Sequence, residues 1–102
     1  MRINSTVELS NIEEDEIAMM IDDLPHGSGV DYDWFVDVTK RRIYAYNSFH
    51  AMDEYGGYCH IYDFKVTFNR KDRKILDVRM LGRELQCCGY GLRSYLDDLF
   101  FA

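Results

Sequence analysis

Proline is nearly absent from this chain of 102 residues, which contains only Pro25. Almost every backbone N–H is therefore available to a helix or a sheet. The chain also lacks any apolar run that approaches the length of about 20 residues needed by a membrane-spanning helix. The opening residues 1–5 turn polar before the apolar core of a signal peptide forms. We therefore expect a cytoplasmic protein that makes no membrane contact.

Cysteine is scarce and poorly placed for cross-linking. The chain has three cysteines, of which Cys87 and Cys88 are adjacent, whereas a disulfide framework needs an even number at spread positions. Cys59 and His60 are neighbours in a candidate strand, so they point to opposite faces and do not form a zinc pair, even with His50 nearby. Nothing in the sequence would lower the pKa of the thiols of Cys87 and Cys88, as a nucleophile requires. The sequence predicts no metal, no cofactor and no catalytic residue.

The composition is that of an ordinary globular domain. Hydrophobic residues make up 47% and charged residues 29% of the chain, a balance that argues against disorder. A chain of this length has room for one domain, which we place at residues 1–102.

The first quarter of the sequence predicts a strand followed by a helix. Residues 1–9 alternate weakly, as a short strand does. Ser10 or Asn11 is a suitable N-cap, with acidic residues following in the first turn. Apolar residues then recur at i, i+3, i+4 and i+7 from Ile17 to Leu24, which gives the helix one buried stripe. Pro25 ends it.

The rest of the sequence is mostly of period two. Alternation over residues 31–38, 43–50, 58–68 and 75–81 predicts four strands joined by short links, hence antiparallel hairpins. A last short helix is predicted from the apolar spacing between Leu92 and Leu99. The expected fold is α+β in two layers, with a mainly antiparallel meander of four to five strands packed by two short helices. In the last strand, the alternation predicts that Leu76, Val78 and Met80 face inward. It also predicts one sheet face that is shared by four tyrosines, Tyr44, Tyr46, Tyr58 and Tyr62.

Charge is separated along the chain. The net charge of −6 combines an acidic first third, in which residues 1–37 hold ten acids and one base, with a basic remainder. The bases concentrate at 40–42 and 70–74, in the first and third turns of the predicted meander. Because alternate turns of a meander lie at the same end of the sheet, these residues are expected to form one surface, here called the basic tip.

The acidic third predicts a binding surface. Negative charge on a helix and loop imitates the charge of nucleic acid and meets the same Lys and Arg side chains on a partner. The predicted partner-binding residues are Asp15, Glu16, Asp22, Asp23, Asp31 and Asp33.

Two other interpretations stay open. A small enzyme or ligand-binding protein would use the loop from His26 to Asp33, including Ser28, together with His50. Its glycines do not have the spacing of a phosphate loop, and no lysine follows them. A nucleic-acid-binding protein would use the basic tip, although the net negative charge argues against strong direct binding of nucleic acid.

Three segments carry a resemblance to a known group. Residues 24–34 (LPHGSGVDYDW), 47–56 (NSFHAMDEYG) and 62–66 (YDFKV) resemble those of a group of small uncharacterised phage proteins. The resemblance implies a phage origin and transfers no activity. Small acidic phage proteins often inhibit host defence, anti-CRISPR proteins among them. It therefore implies, as an expectation, a non-enzymatic inhibitor that binds a host protein or ribonucleoprotein effector complex in the host cytoplasm.

Overall fold

The computed structural model describes residues 1–24, 33–52, 59–81 and 100–101. Its elements are β1 (Arg2–Ser5), α1 (Asn11–Asp22), β2 (Phe35–Val38), β3 (Arg42–Met52), β4 (Cys59–Asn69) and β5 (Ile75–Leu81). They form an α+β fold, as predicted. Among the described residues no helix is long and apolar enough to span a membrane.

The five strands form one mixed sheet in the order β1-β2-β3-β4-β5. The antiparallel meander is confirmed for β2 to β5, whose successive pairs are all antiparallel. β1 differs, because it pairs with β2 in parallel, with Arg2 opposite Phe35 and Ser5 opposite Val38. The two strands are parallel because α1 lies between them and carries the chain back to the end of the sheet where β1 began.

The first strand is shorter than the sequence pattern predicts and ends at Ser5. Ser5 forms a local turn, in which its hydroxyl donates to the Val7 carbonyl and accepts from the Val7 N–H. Thr6 N–H still donates to the Val38 carbonyl, at 3.0 Å. A short polar side chain that forms hydrogen bonds with the backbone two residues further on competes with strand pairing. Here the Ser5 turn replaces the strand after Ser5.

Helix α1 begins and ends close to the predicted positions. The Ser10 hydroxyl accepts a hydrogen bond from the Glu13 N–H at 3.1 Å, so Ser10 is the N-cap. The helix ends at Asp22 and Asp23 is its C-cap, two residues before Pro25. Ile17 and Ile21, on the side of α1 that faces the sheet, are fully buried, which confirms the predicted stripe.

The core lies between α1 and one face of the sheet. Its strand residues are the alternate members of β2, β3, β4 and β5, and they include Val36, Val38, Ile43, Ala45, Phe64, Val66, Phe68 and Val78. Trp34 packs edge-on against Phe64, with ring centroids 5.8 Å apart. Phe100 contacts the same Phe64 ring, also at 5.8 Å, so the described end of the chain returns to this core. The predicted second helix at 92–99 lies outside the described residues.

The prediction for β5 was wrong at one position. Leu76 is 48% exposed, whereas Ile75 and Met80 pack against the core. The register shifts between Thr67 and Phe68: Thr67 pairs with Asp77 but Phe68 pairs with Ile75. One extra residue on β5 is accommodated there, so Leu76 falls out of the alternation. A bulge of this kind cannot be seen in a two-residue repeat.

Candidate functional site

The two basic turns lie side by side, as the meander predicts. The Arg70 N–H, at the start of the β4–β5 turn, donates to the Arg41 carbonyl in the β2–β3 turn at 3.0 Å. The first turn is closed by Thr39, whose N–H donates to the Arg42 carbonyl at 2.9 Å. In the second, the Asn69 side chain accepts from the Lys71 N–H and the Asp72 side chain from the Lys74 N–H, both at 3.0 Å. The basic tip therefore has a fixed backbone.

Arg70 connects the basic tip to the helix. Its Nε and Nη2 donate to the two carboxylate oxygens of Glu13 at 2.8 and 3.0 Å. Its Nη1 donates to the carbonyls of Thr39 and Lys40 at 3.4 and 3.3 Å. One guanidinium thus joins both turns to the first turn of α1, using the planar fork that makes arginine suited to bidentate pairing.

Proton affinities reflect this pairing. The hydrogen bonds from Arg70 are the main cause that lowers the pKa of Glu13 below its ordinary value, and the positive charges of Arg70 and Arg73 lower it further. The same hydrogen bonds raise the pKa of Arg70. Both groups are therefore charged throughout the neutral range.

A second ion pair lies beside the first. Arg73 Nη2 donates to Glu16 Oε2, three residues further along α1. Arg73 has a φ of 59° and is the only non-glycine residue with positive φ among those described. The left-handed conformation costs an L-residue roughly 1–2 kcal/mol. The hairpin turn accepts that cost, and the Arg73 side chain reaches the helix.

Five of the seven cations in the basic tip remain without an ion pair in the described part of the chain. They are Lys40, Arg41, Arg42, Lys71 and Lys74. Between the two turns lies an open cleft of about 610 Å³. Its lining contains six cationic side chains and one carboxylate, that of Glu13. A cleft of this composition attracts anions.

Two acidic residues of α1 are paired with the basic tip, and four others in the helix or at its C-cap are exposed: Glu14, Asp15, Asp22 and Asp23. Glu13 and Glu16 face the basic tip and share their charge with it. Asp15 and Asp23 are exposed and form no ion pair among the described residues, and Asp22 is also exposed. Asp22 and Asp23 follow Asp15 by seven and eight residues, about two helical turns, which places these three aspartates on the side of α1 opposite Ile17 and Ile21.

Two apolar residues, missed by the sequence prediction, lie among these aspartates. Ile12 is 72% exposed and Met19 is 68% exposed. Both belong to the same side of α1, because Ile12, Asp15, Met19, Asp22 and Asp23 follow helical spacing. We call these five residues the outer face. A signal was present in the sequence: Ile12 and Met19 are seven residues apart and out of phase with the buried stripe.

The six predicted partner-binding residues are therefore not equivalent. Asp15, Asp22 and Asp23 belong to the outer face, whereas Glu16 is paired with Arg73. Asp33 is exposed just before β2, at the end of the sheet opposite the basic tip. The helix runs away from the basic tip, so its Asp22 end lies toward that same end of the sheet. Asp31 lies outside the described residues.

The second sheet face is not covered by α1. Tyr44 and Tyr46 both lie on it, beside Phe35, which is 52% exposed. Lys65 Nζ lies 5.3 Å from the centre of the Tyr44 ring, in a cation–π contact. Burial is the main cause that raises the pKa of Tyr46, with the nearby charge of Asp37 adding to it. The expected partner Tyr58 and the side chain of Tyr62 lie outside the described residues.

The alternative site at His26, Ser28 and Asp31 lies outside the described residues, as does the side chain of His50. The same holds for the sulfur atoms of Cys59, Cys87 and Cys88. Among the residues that are described, no three His, Cys, Asp or Glu side chains come together in an arrangement that would hold a metal ion.

Comparison with known proteins adds no relative. No protein-family model, no curated protein and no solved structure matches this chain.

Proposed function

We propose that this protein is a non-enzymatic inhibitor that binds a host protein or ribonucleoprotein complex through the outer face of α1. The partner surface is a basic one, of the kind that holds nucleic acid, and the inhibitor competes with nucleic acid for it. The resemblance to phage proteins makes a defence complex of a bacterial host the proposed target.

The observation that carries this proposal is the mixture of side chains on the outer face. Ile12 and Met19 are two large apolar side chains left in solvent, with three carboxylates around them. An apolar centre within a polar rim is the usual anatomy of a protein interface, and methionine adapts to irregular partner surfaces. Carboxylates in the rim select a partner with lysines and arginines and repel nucleic acid.

Spacing supports mimicry of nucleic acid. Neighbouring residues on a helix surface lie about 5–6 Å apart, a scale on which a row of carboxylates meets the same cations as a row of phosphates. Glu13 and Glu16 support the proposal indirectly, because their pairing with the basic tip holds α1 in place. The competing charge is assigned to the exposed aspartates of the outer face, of which Asp15 and Asp23 make no ion pair among the described residues.

Charge reversal on the outer face tests this proposal. Asp15→Lys with Asp23→Lys changes two exposed carboxylates that make no ion pair among the described residues. A control variant, Glu8→Lys with Asp37→Lys, makes the same change in net charge at exposed sites away from the outer face. The tagged protein is used to capture its complex from host lysate, and displacement of labelled nucleic acid from that complex is then measured.

The wild type and the control should displace the nucleic acid, with an affinity that falls as salt is raised. The outer-face variant should fail to do so. Equal displacement by both variants would contradict the proposal. So would a captured complex that keeps its nucleic acid at saturating wild-type protein.

A further inference from the structure

We infer that the cleft of the basic tip is a binding site for the phosphate backbone of a nucleic-acid strand. This site lies at the opposite end of α1 from Asp22 and Asp23 and does not depend on the outer face. The protein would then bind with two ends of opposite charge.

The cleft is preorganised by hydrogen bonds between its two turns. The two turns that form the cleft are joined by the backbone hydrogen bond from Arg70 to Arg41 and by the contacts of Arg70 with Thr39 and Lys40. The cations therefore stand on a rigid frame before any ligand arrives. A preformed site avoids part of the ordering cost that binding otherwise imposes.

The basic tip also carries a surplus of positive charge. Glu13 and Glu16 neutralise two arginines, and those two pairs fix the arrangement of the hairpin against the helix. Lys40, Arg41, Arg42, Lys71 and Lys74 keep their charge for another partner. Four of them, all except Lys74, line the cleft together with the paired Arg70 and Arg73. At the ends of strands that are about 4.8 Å apart, these cations give a charge density that a single small anion would not match.

The form of the cleft favours a polyanionic strand. Cations line both of its sides, one set from the β2–β3 turn and the other from the β4–β5 turn. A nucleic-acid strand carries its charges at regular intervals on the backbone itself. An acidic peptide carries them on flexible side chains, whose ordering costs free energy. Arginine also matches phosphate with paired hydrogen bonds.

The test uses a fluorescent single-stranded DNA oligonucleotide and the complete chain. The tip variant is Lys40→Gln with Arg41→Gln and Lys71→Gln, three exposed cations whose side chains make no ion pair in the described part of the protein. The control variant is Arg2→Gln with Lys65→Gln and Arg79→Gln, which removes three charges from the sheet face opposite α1. Fluorescence anisotropy gives the affinity over a range of salt concentrations.

The wild type should bind with a salt dependence whose logarithmic slope is no steeper than about −3, the value for contacts from the four unpaired cations of the cleft to a single strand. The tip variant should bind more weakly, with the slope reduced in magnitude by about 2. The control should bind within twofold of the wild type, and the outer-face variant Asp15→Lys with Asp23→Lys should bind no more weakly than the wild type. This last comparison separates the site from the proposed inhibitory function.

Three results would overturn the inference. The first is no measurable binding by the wild type at low salt. The second is a loss in the control that equals the loss in the tip variant, which would assign the site to the sheet face. The third is displacement of the oligonucleotide by polyglutamate as readily as by unlabelled oligonucleotide, which would assign the cleft to an acidic protein.

Discussion

Arg70 and Glu13 form a bidentate ion pair, Nε to Oε1 at 2.8 Å and Nη2 to Oε2 at 3.0 Å, across 57 positions of the chain. The pair joins the β4–β5 hairpin to the first turn of α1. Glu13 therefore contributes to the packing of the helix, whereas Asp15 on the same helix is exposed to solvent.

This pair should make stability depend on acid pH. The pKa of Glu13 is lowered in the folded protein, chiefly by the hydrogen bonds from Arg70. Its contribution is therefore complete above the ordinary value of 4.5 and is lost as the pH falls through the folded value. Glu13→Gln should lower the free energy of unfolding at neutral pH by about 1 kcal/mol, since the pair is partly exposed to solvent.

Urea denaturation at neutral and acid pH measures this effect. Glu14→Gln is the matched control, because Glu14 lies in the same first turn and makes no ion pair among the described residues. The Glu14→Gln variant loses a favourable charge at the start of the helix dipole but keeps the ion pair between Glu13 and Arg70. A Glu13→Gln variant whose midpoint shifts by the same amount as that of Glu14→Gln would show that the ion pair adds nothing.

The N-cap of α1 should contribute separately. The Ser10 hydroxyl accepts from the Glu13 N–H, so Ser10→Ala leaves a helix donor without its partner. We expect a loss of about 1 kcal/mol in the free energy of unfolding. Ser10→Asp, which restores an acceptor, should recover most of it in the same denaturation experiment. A Ser10→Asp protein as unstable as Ser10→Ala would contradict the capping role.

Trp34 should tolerate loss of its polar atom. Trp34 is 2% exposed, and its Nε1 is buried with no hydrogen-bond partner among the described residues. An unpaired buried donor costs roughly 1–3 kcal/mol, which Trp34→Phe removes while giving up some buried area. Trp34→Phe should therefore cost less than Phe64→Ala, for which we expect about 3–5 kcal/mol. Circular dichroism during urea denaturation checks the order, and a larger loss for Trp34→Phe would contradict it.

Ile12 and Met19 should matter for binding and not for folding. Both side chains are mostly in solvent, so Ile12→Ser with Met19→Ser should change the free energy of unfolding by no more than about 0.5 kcal/mol per site. The double variant should dissociate faster from the captured host complex, because interface substitutions act mainly on the dissociation rate. Surface plasmon resonance measures that rate, and an unchanged rate would remove these residues from the interface.

Much of this fold follows from local sequence patterns. The two-residue alternation around Val36, Ile43 and Phe64 fixes which side of each strand is buried. Ser10 marks the start of α1 because a hydroxyl there satisfies a free helix N–H. The adjacency of the two basic turns follows from strand order alone, since a meander brings alternate turns to one end.

Other features required the three-dimensional arrangement. The partnership of Glu16 with Arg73 depends on where α1 crosses the sheet, which no spacing along the chain encodes. The exposure of Leu76 follows from a register shift opposite Thr67 and Phe68. The parallel direction of β1 depends on the path of the intervening chain. The exposure of Ile12 and Met19 beside Asp15 is likewise visible only once the buried side of α1 is known.

The parallel pairing of β1 with β2 joins segments that are distant in the chain. Strands β2 to β5 are joined in sequence, so each hairpin forms between near neighbours. β1 pairs with β2 across the whole of α1, with Arg2 opposite Phe35, so closing this pair costs more chain entropy than closing a hairpin. We therefore expect the amide protons of β1 to exchange with heavy water sooner than those at the centre of β3 and β4.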